Sequence, residues 1–161
     1  MMSAIEVNID SILESPESLT PVIHTDILEC AQKVFESIGV GHSEFIYQRA
    51  LAIELRSYGY VLETEKRVLI TYIDREGNKH HLGDERIDIY LHKCDILDYE
   101  VVIELKAIVK PPKQSEIEQV LKYKRELNKD FVTPRFGIII NFPQAGTKKA
   151  NEKVDFMEIE L

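Results

Sequence analysis

The most constraining stretch of this chain is Val101-Val102-Ile103-Glu104-Leu105-Lys106-Ala107-Ile108-Val109. Seven of its nine side chains are apolar, and the other two carry opposite charges. A run this long, rich in Val and Ile, predicts a strand covered on both faces. Glu104 and Lys106 are two apart, so on a strand they share one face. An acid and a base on a covered face cost stability unless they are paired or ligated. The rest of the chain has to supply the reason for them.

Residues 1–20 are polar and acidic and read as a flexible arm, with a short ordered piece at Ile9–Leu13. Residues 21–161 read as one domain. Thr20-Pro21 marks a helix start. Ile23, Ile27, Ala31, Val34, Phe35 and Ile38 then recur at helical spacing over 22–38. Gly39 and Gly41 end that helix. A second helix is expected from Ser43, as N-cap, to Tyr58, with Tyr47, Ala50, Leu51, Leu55 and Tyr58 inside. Glu44 continues its inner stripe, and a first-turn acid also suits the helix dipole. Glu54 falls in the stripe too, either paired with a base or part of a site.

Short strands are expected at Tyr60–Glu65 and Val68–Ile73, then a turn over 74–78 and a strand over Lys79–Leu91. In that strand Arg86, Asp88 and Tyr90 share one face, and Ile87, Ile89 and Leu91 the other. After the opening run comes a helix over Lys113–Asn128 with Ile117, Val120, Leu121 and Leu127 inside. A covered strand over Arg135–Phe142, a polar loop and an edge strand at Val154–Leu161 complete the chain. This order predicts an α/β sandwich with a mixed central sheet and a right-handed crossover.

The net charge of −8 is unevenly placed. Residues 1–36 hold seven acids and one base, which accounts for −6 of it. Residues 106–129 hold seven bases against three acids, a local +4 on which a polyanion can dock. A solvated helix face is the plainer reading of the same charges. No apolar run approaches the length of a membrane span, and Cys30 and Cys94 are isolated, so an intracellular protein with buried thiols is expected.

If the strands bearing Asp88 and Glu104 are neighbours, those carboxylates converge. With the Leu105 carbonyl they offer hard oxygen ligands suited to Mg²⁺ or Mn²⁺. Lys106 can orient a water or stabilise charge developing on a phosphate. Glu44 can complete the set. Alternatives stay open: Glu104–Lys106 as a plain ion pair, Asp88 paired with Arg86, and Gln119 and Tyr123 as an ordinary helix flank. His80 and His81 point to opposite faces, and His42 reads as a loop residue.

The Asp88…Glu104-Leu105-Lys106 pattern resembles the PD-(D/E)xK phosphodiesterases. Gly41-His42-Ser43-Glu44-Phe45-Ile46-Tyr47 is similar to the stretch that names their GxxExxY family, and Gln119 with Tyr123 resembles the QxxxY element of RecB-type nucleases. The resemblance covers residues 25–143. It implies a three-layer, restriction-endonuclease-like α/β sandwich and a Mg²⁺- or Mn²⁺-dependent nuclease acting on DNA, with RNA the alternative substrate. Glu44, Asp88 and Glu104 are implied as metal ligands, Lys106 as base or stabiliser, and Gln119 and Tyr123 as neighbours of the site. Lys110, Lys113, Lys122 and Tyr123 are the expected nucleic-acid contacts. The Asp88–Glu104 loop is longer than that family's usual tight turn, and the acidic arm is extra. The rival readings are a binding module on the same fold that has lost turnover, and an assembly protein that forms a homodimer through its first helices or last strand.

Overall fold

The computed structural model describes residues 21–111, 113–145 and 153–161. The N-terminal arm with the piece expected at Ile9–Leu13, and much of the loop expected over 143–151, lie outside the described residues. The elements run α1 (Thr25–Ile38), α2 (Glu44–Tyr58), β1 (Leu62–Ile73), β2 (Lys79–Leu91), β3 (Val101–Lys106), α3 (Gln114–Lys129), β4 (Phe136–Asn141) and β5 (Asp155–Glu160).

The strands form one sheet in the order β1-β2-β3-β4-β5. Only the β3–β4 pair, which α3 connects, is parallel. The two sheet faces bury different partners. Ile27, Ala31 and Phe35 of α1 and Tyr47, Leu51 and Leu55 of α2 pack with Ile103, Leu105, Ile138 and Ile140. Tyr123 and Leu127 of α3 pack with Val68, Tyr90 and Val102. The result is the expected three-layer α/β sandwich with a mixed sheet in the middle.

Several boundaries move for physical reasons. α1 starts later than residue 22 because the preceding segment is bound elsewhere. The Ile23 and His24 N–H groups donate to the Glu158 carboxylate at 2.9 and 2.6 Å. The His24 ring bridges Glu158 and the Tyr99 hydroxyl, each at 2.8 Å. Ser43 holds the N-cap position of α2 without a side-chain cap bond. Gln48 and Ala52 share the inner face of α2, while Tyr58 is exposed. Glu54 forms an ion pair with Lys33 at 2.8 Å, joining α1 to α2, in line with the first of its two expected roles. In α3, Tyr123 takes a core place expected of Leu121.

β3 stops at Lys106, short of the expected Val109. There the side chain of Asn141 replaces the ladder. Its Oδ1 accepts from Ile108 N at 2.9 Å, and its Nδ2 donates to Ile108 O at 3.1 Å and to Asp155 Oδ2 at 2.9 Å. Asn141 is fully buried, and these bonds satisfy it.

The two strands expected at 60–65 and 68–73 are one strand, β1, with Glu65 at φ 55° in its middle. That residue reverses the alternation of side chains. Before it Leu62 packs with α1 and α2, and after it Val68 packs with α3. β2 follows its partner. Ile89 and Leu91 face α1 and α2, but Ile87 joins Tyr90 on the α3 side. The expectation that Ile87 shares a face with Ile89 is therefore corrected, and the reversal falls at Asp88.

α3 crosses β4 at Gly137, where an added methyl group would overlap Val120 Cγ1. We expect Gly137→Ala to lower the unfolding free energy by about 1–3 kcal/mol, as overpacked cores do. Val120→Ala in the same chain should recover part of that loss. Urea denaturation of the single and double variants checks it, and a fully stable Gly137→Ala protein would contradict the close approach.

Candidate active site at the strand fork

β2 and β3 pair over three rungs only, from Leu91–Val101 to Ile89–Ile103. The next rung would set Asp88 opposite Glu104, but the Leu105 N–H donates instead to Asp88 Oδ2 at 2.7 Å. β3 stays paired with β4 along its whole length, while the rest of β2 pairs with β1 alone. The strands part here, and the acids stand in the fork.

Val101, Ile103 and Leu105 fill the core toward α1 and α2, which turns Glu104 and Lys106 to the α3 side. The Glu104 side chain is 7% exposed, and its Oε1 lies 3.5 Å from Lys106 Nζ. Its Oε2 is buried with no hydrogen-bond partner among the described residues. Burial pushes the Glu104 carboxyl up to about 8, with Asp88 adding to the rise and Lys106 opposing it. Burial also raises Asp88 to about 6, against the Leu105 N–H bond and with Glu44 and Glu65 pushing the same way. Burial works against the Lys106 ammonium, yet Glu104, Glu44 and Asp88 outweigh it and raise its pKa. Lys106 is therefore a cation held among acids.

Glu44 reaches this group from the first turn of α2. Burial raises its carboxyl, Lys106 lowers it and Glu65 raises it again. The flanking Gly41 and Tyr47 explain the position. Gly41 sits at φ 93°, where a side chain is strained, and its N–H donates to Gln144 Oε1 at 2.8 Å. Tyr47 is fully buried, stacks on Phe142 with ring centroids 4.4 Å apart, and donates to Gly39 O at 2.6 Å. Phe142 directly follows β4, so these contacts pin the start of α2 beside the sheet end where Lys106 lies.

The α3 residues divide. Gln119 lines a cavity of about 210 Å³ with Lys106, Ser115 and Glu116, but its Nε2 donates to Glu85 at 2.9 Å. Lys122 pairs with the same Glu85 carboxylate. Tyr123 is 3% exposed and donates to Arg86 O at 3.0 Å. The expectation that Tyr123 contacts nucleic acid is corrected: it is a core residue that braces β2. Lys110 and Lys113 are exposed and line a groove of about 420 Å³ that shares Ser115 and Glu116 with the cavity at Lys106.

His42 braces its loop through Ile38 O at 2.8 Å, and His80 and His81 pair with Asp74 and Asp84. Cys30 is buried and Cys94 half-buried, both free. Among the described residues, no three His, Cys, Asp or Glu side chains form a ready-made metal cage, and no helix is long and apolar enough to cross a membrane. Sequence reasoning missed Glu65 as a neighbour of Asp88 and Glu44. Its one signal is the polar run Glu63-Thr64-Glu65-Lys66-Arg67, in which Glu65 stands as the last residue of the first expected strand.

A family model described as the PD-(D/E)XK nuclease superfamily matches residues 22–154. A solved structure named "Crystal structure of SSO0001" aligns with 99% of this chain and 78% of its own, at 16% identity and a TM-score of 0.42. No curated protein matches the chain.

Asp88 and Glu104 bind protons more tightly folded than unfolded, so the stability they lend is complete below about pH 4 and is lost as pH rises to about 8. Glu104→Gln removes one of these titrations. In the presence of a chelator, the wild type should lose about 1–3 kcal/mol more between pH 5 and pH 8 than Glu104→Gln does. Urea denaturation at both pH values measures the difference, and equal losses would contradict the burial of Glu104.

Proposed function

The chain belongs to the PD-(D/E)XK nuclease superfamily, and on that premise we propose that it is a divalent-cation-dependent nuclease that hydrolyses DNA phosphodiester bonds at the β2–β3 fork. The observation that carries this reading is the buried Glu104 Oε2 without a partner, beside Asp88 and one lysine. A carboxyl oxygen left so in the interior costs stability unless a proton or a cation completes it, and an acid neighbour favours the cation.

The residues fit Mg²⁺ or Mn²⁺. Asp88 and Glu104 supply hard oxygen donors from two strands, and Glu44 stands by at the start of α2. Mg²⁺ typically takes only one or two carboxylates and keeps several waters, so a cage of three side chains is not required. When bound, the cation supplies positive charge that polarises the phosphate and favours ionisation of water.

The chain's own residues do the rest. Lys106, kept protonated by its acid neighbours, stabilises negative charge as it develops on the phosphate and orients the attacking water. It does not serve as a proton acceptor while charged. Gln119, in the cavity with Lys106, positions that region of α3. Lys110 and Lys113 take the flanking phosphates in the adjoining groove. Gly41 and Tyr47, which set the start of α2, and Glu44 in its first turn support placing the chain in the GxxExxY branch.

Glu104→Ala and Lys106→Ala are each expected to lower Mg²⁺-dependent nicking of plasmid DNA by roughly 10²–10³-fold or more while circular dichroism shows an intact fold. Parallel assays with single-stranded DNA and RNA report the substrate class. Cleavage by either variant at the wild-type rate would sink this assignment of the site.

A further inference from the structure

Glu65 has no role in the reading above, yet the fold places it at the fork. It lies in β1 between the rungs Thr64–Ile89 and Lys66–Ile87, which sets it opposite Asp88. It is held at φ 55°, a backbone region that a glycine enters freely and a glutamate does not. The Arg86 guanidinium donates to its carbonyl at 3.4 Å. Its carboxylate makes no hydrogen bond or ion pair among the described residues. Its charge nevertheless bears on both Asp88 and Glu44.

Two functions thus meet at one position. The positive φ reverses the side-chain alternation of β1, and any residue that tolerates this conformation serves that purpose. A glycine would do so with less strain, so the conformation does not account for a glutamate. The acid also adds its charge beside Asp88 and Glu44, which is unfavourable in the absence of a cation. A second, independent feature points to a ligand: the unpartnered Oε2 of Glu104, on a side chain more than nine-tenths buried.

We propose that Glu65 is a fourth acid of the site, which helps hold the divalent cation at the fork through the ion's hydration shell, from the β1 side opposite Asp88. This rests on the metal-dependent reading given above. Glu65 acts through the waters of the cation and not as a direct ligand, so it is a positioning residue in the reaction.

Calorimetric titration of the full chain with Mn²⁺ tests it, using wild type, Glu65→Gln, Glu65→Gly and Glu104→Gln. Glu65→Gln keeps size and shape but removes the charge, and Glu65→Gly relieves the backbone. Both should weaken Mn²⁺ binding by about 10–100-fold, as loss of a partner outside the ligand shell does. Without metal, Glu65→Gly should unfold at a temperature no lower than wild type. If Glu65→Gln binds Mn²⁺ like wild type while Glu104→Gln does not, the Glu65 assignment falls and the metal site stands. If the wild type takes up no Mn²⁺, both fall.

Discussion

One hydrogen bond organises this molecule: the Leu105 N–H donates to the Asp88 carboxylate, not to a backbone carbonyl of β2. A buried N–H must find an acceptor. Because a side chain supplies one, the β2–β3 ladder can end without leaving a donor unpaired. β3 keeps its place through β4, and β2 is free to leave with β1. The gap between them is where Asp88 and Glu104 stand. Asp88 is thus both a proposed site acid and the closing piece of the sheet.

The cost of this opening is electrostatic. Glu104 lies in a face that its neighbours make apolar, and Lys106 at 3.5 Å is too distant to be a tight partner. The carboxyl keeps its proton to about pH 8 in the metal-free protein. The surrounding structure tolerates the strain because it is well anchored elsewhere. Val101, Ile103 and Leu105 are fully buried on the other face of the same strand. Tyr47 and Phe142 stack beside its end, and α3 closes on β2 through Gln119, Lys122 and Tyr123. A site that departs from the rules of a stable core is thereby confined to a few residues.

What the sequence made legible follows from physical rules with short range. The β3 run was plain because a doubly covered strand has few alternatives, and the two-residue spacing of Glu104 and Lys106 puts both on one face. The order of helices and strands likewise gave the layers. Glu65 was not legible, because a positive φ at a non-glycine residue leaves no mark in residue type. For the same reason the reversal at Asp88 was missed, and Ile87 was assigned to the wrong face. Tyr123 was misread because a tyrosine four residues after a glutamine fits a surface motif as well as a core position. Only the packing against Val102 and Leu127 decides between them.

The basic count over residues 106–129 carries a further lesson about charge. Summed along the chain it is +4, but in the fold Lys122 is bound to Glu85 and Lys129 to Glu126 and the Thr71 carbonyl. Those cations hold α3 on the β1–β2 hairpin and are largely neutralised where they stand. Lys110 and Lys113, at the opposite end of the segment, line a groove continuous with the cavity at Lys106. On the proposed reading, a phosphate backbone meets Lys110 and Lys113 on the side of α3 nearest the fork, while Lys122 and Lys129 of the same helix are already engaged with the scaffold. A sum of charge along the sequence does not separate bases that fasten the scaffold, such as Lys122 and Lys129, from Lys110 and Lys113, which line the groove that leads to the acids.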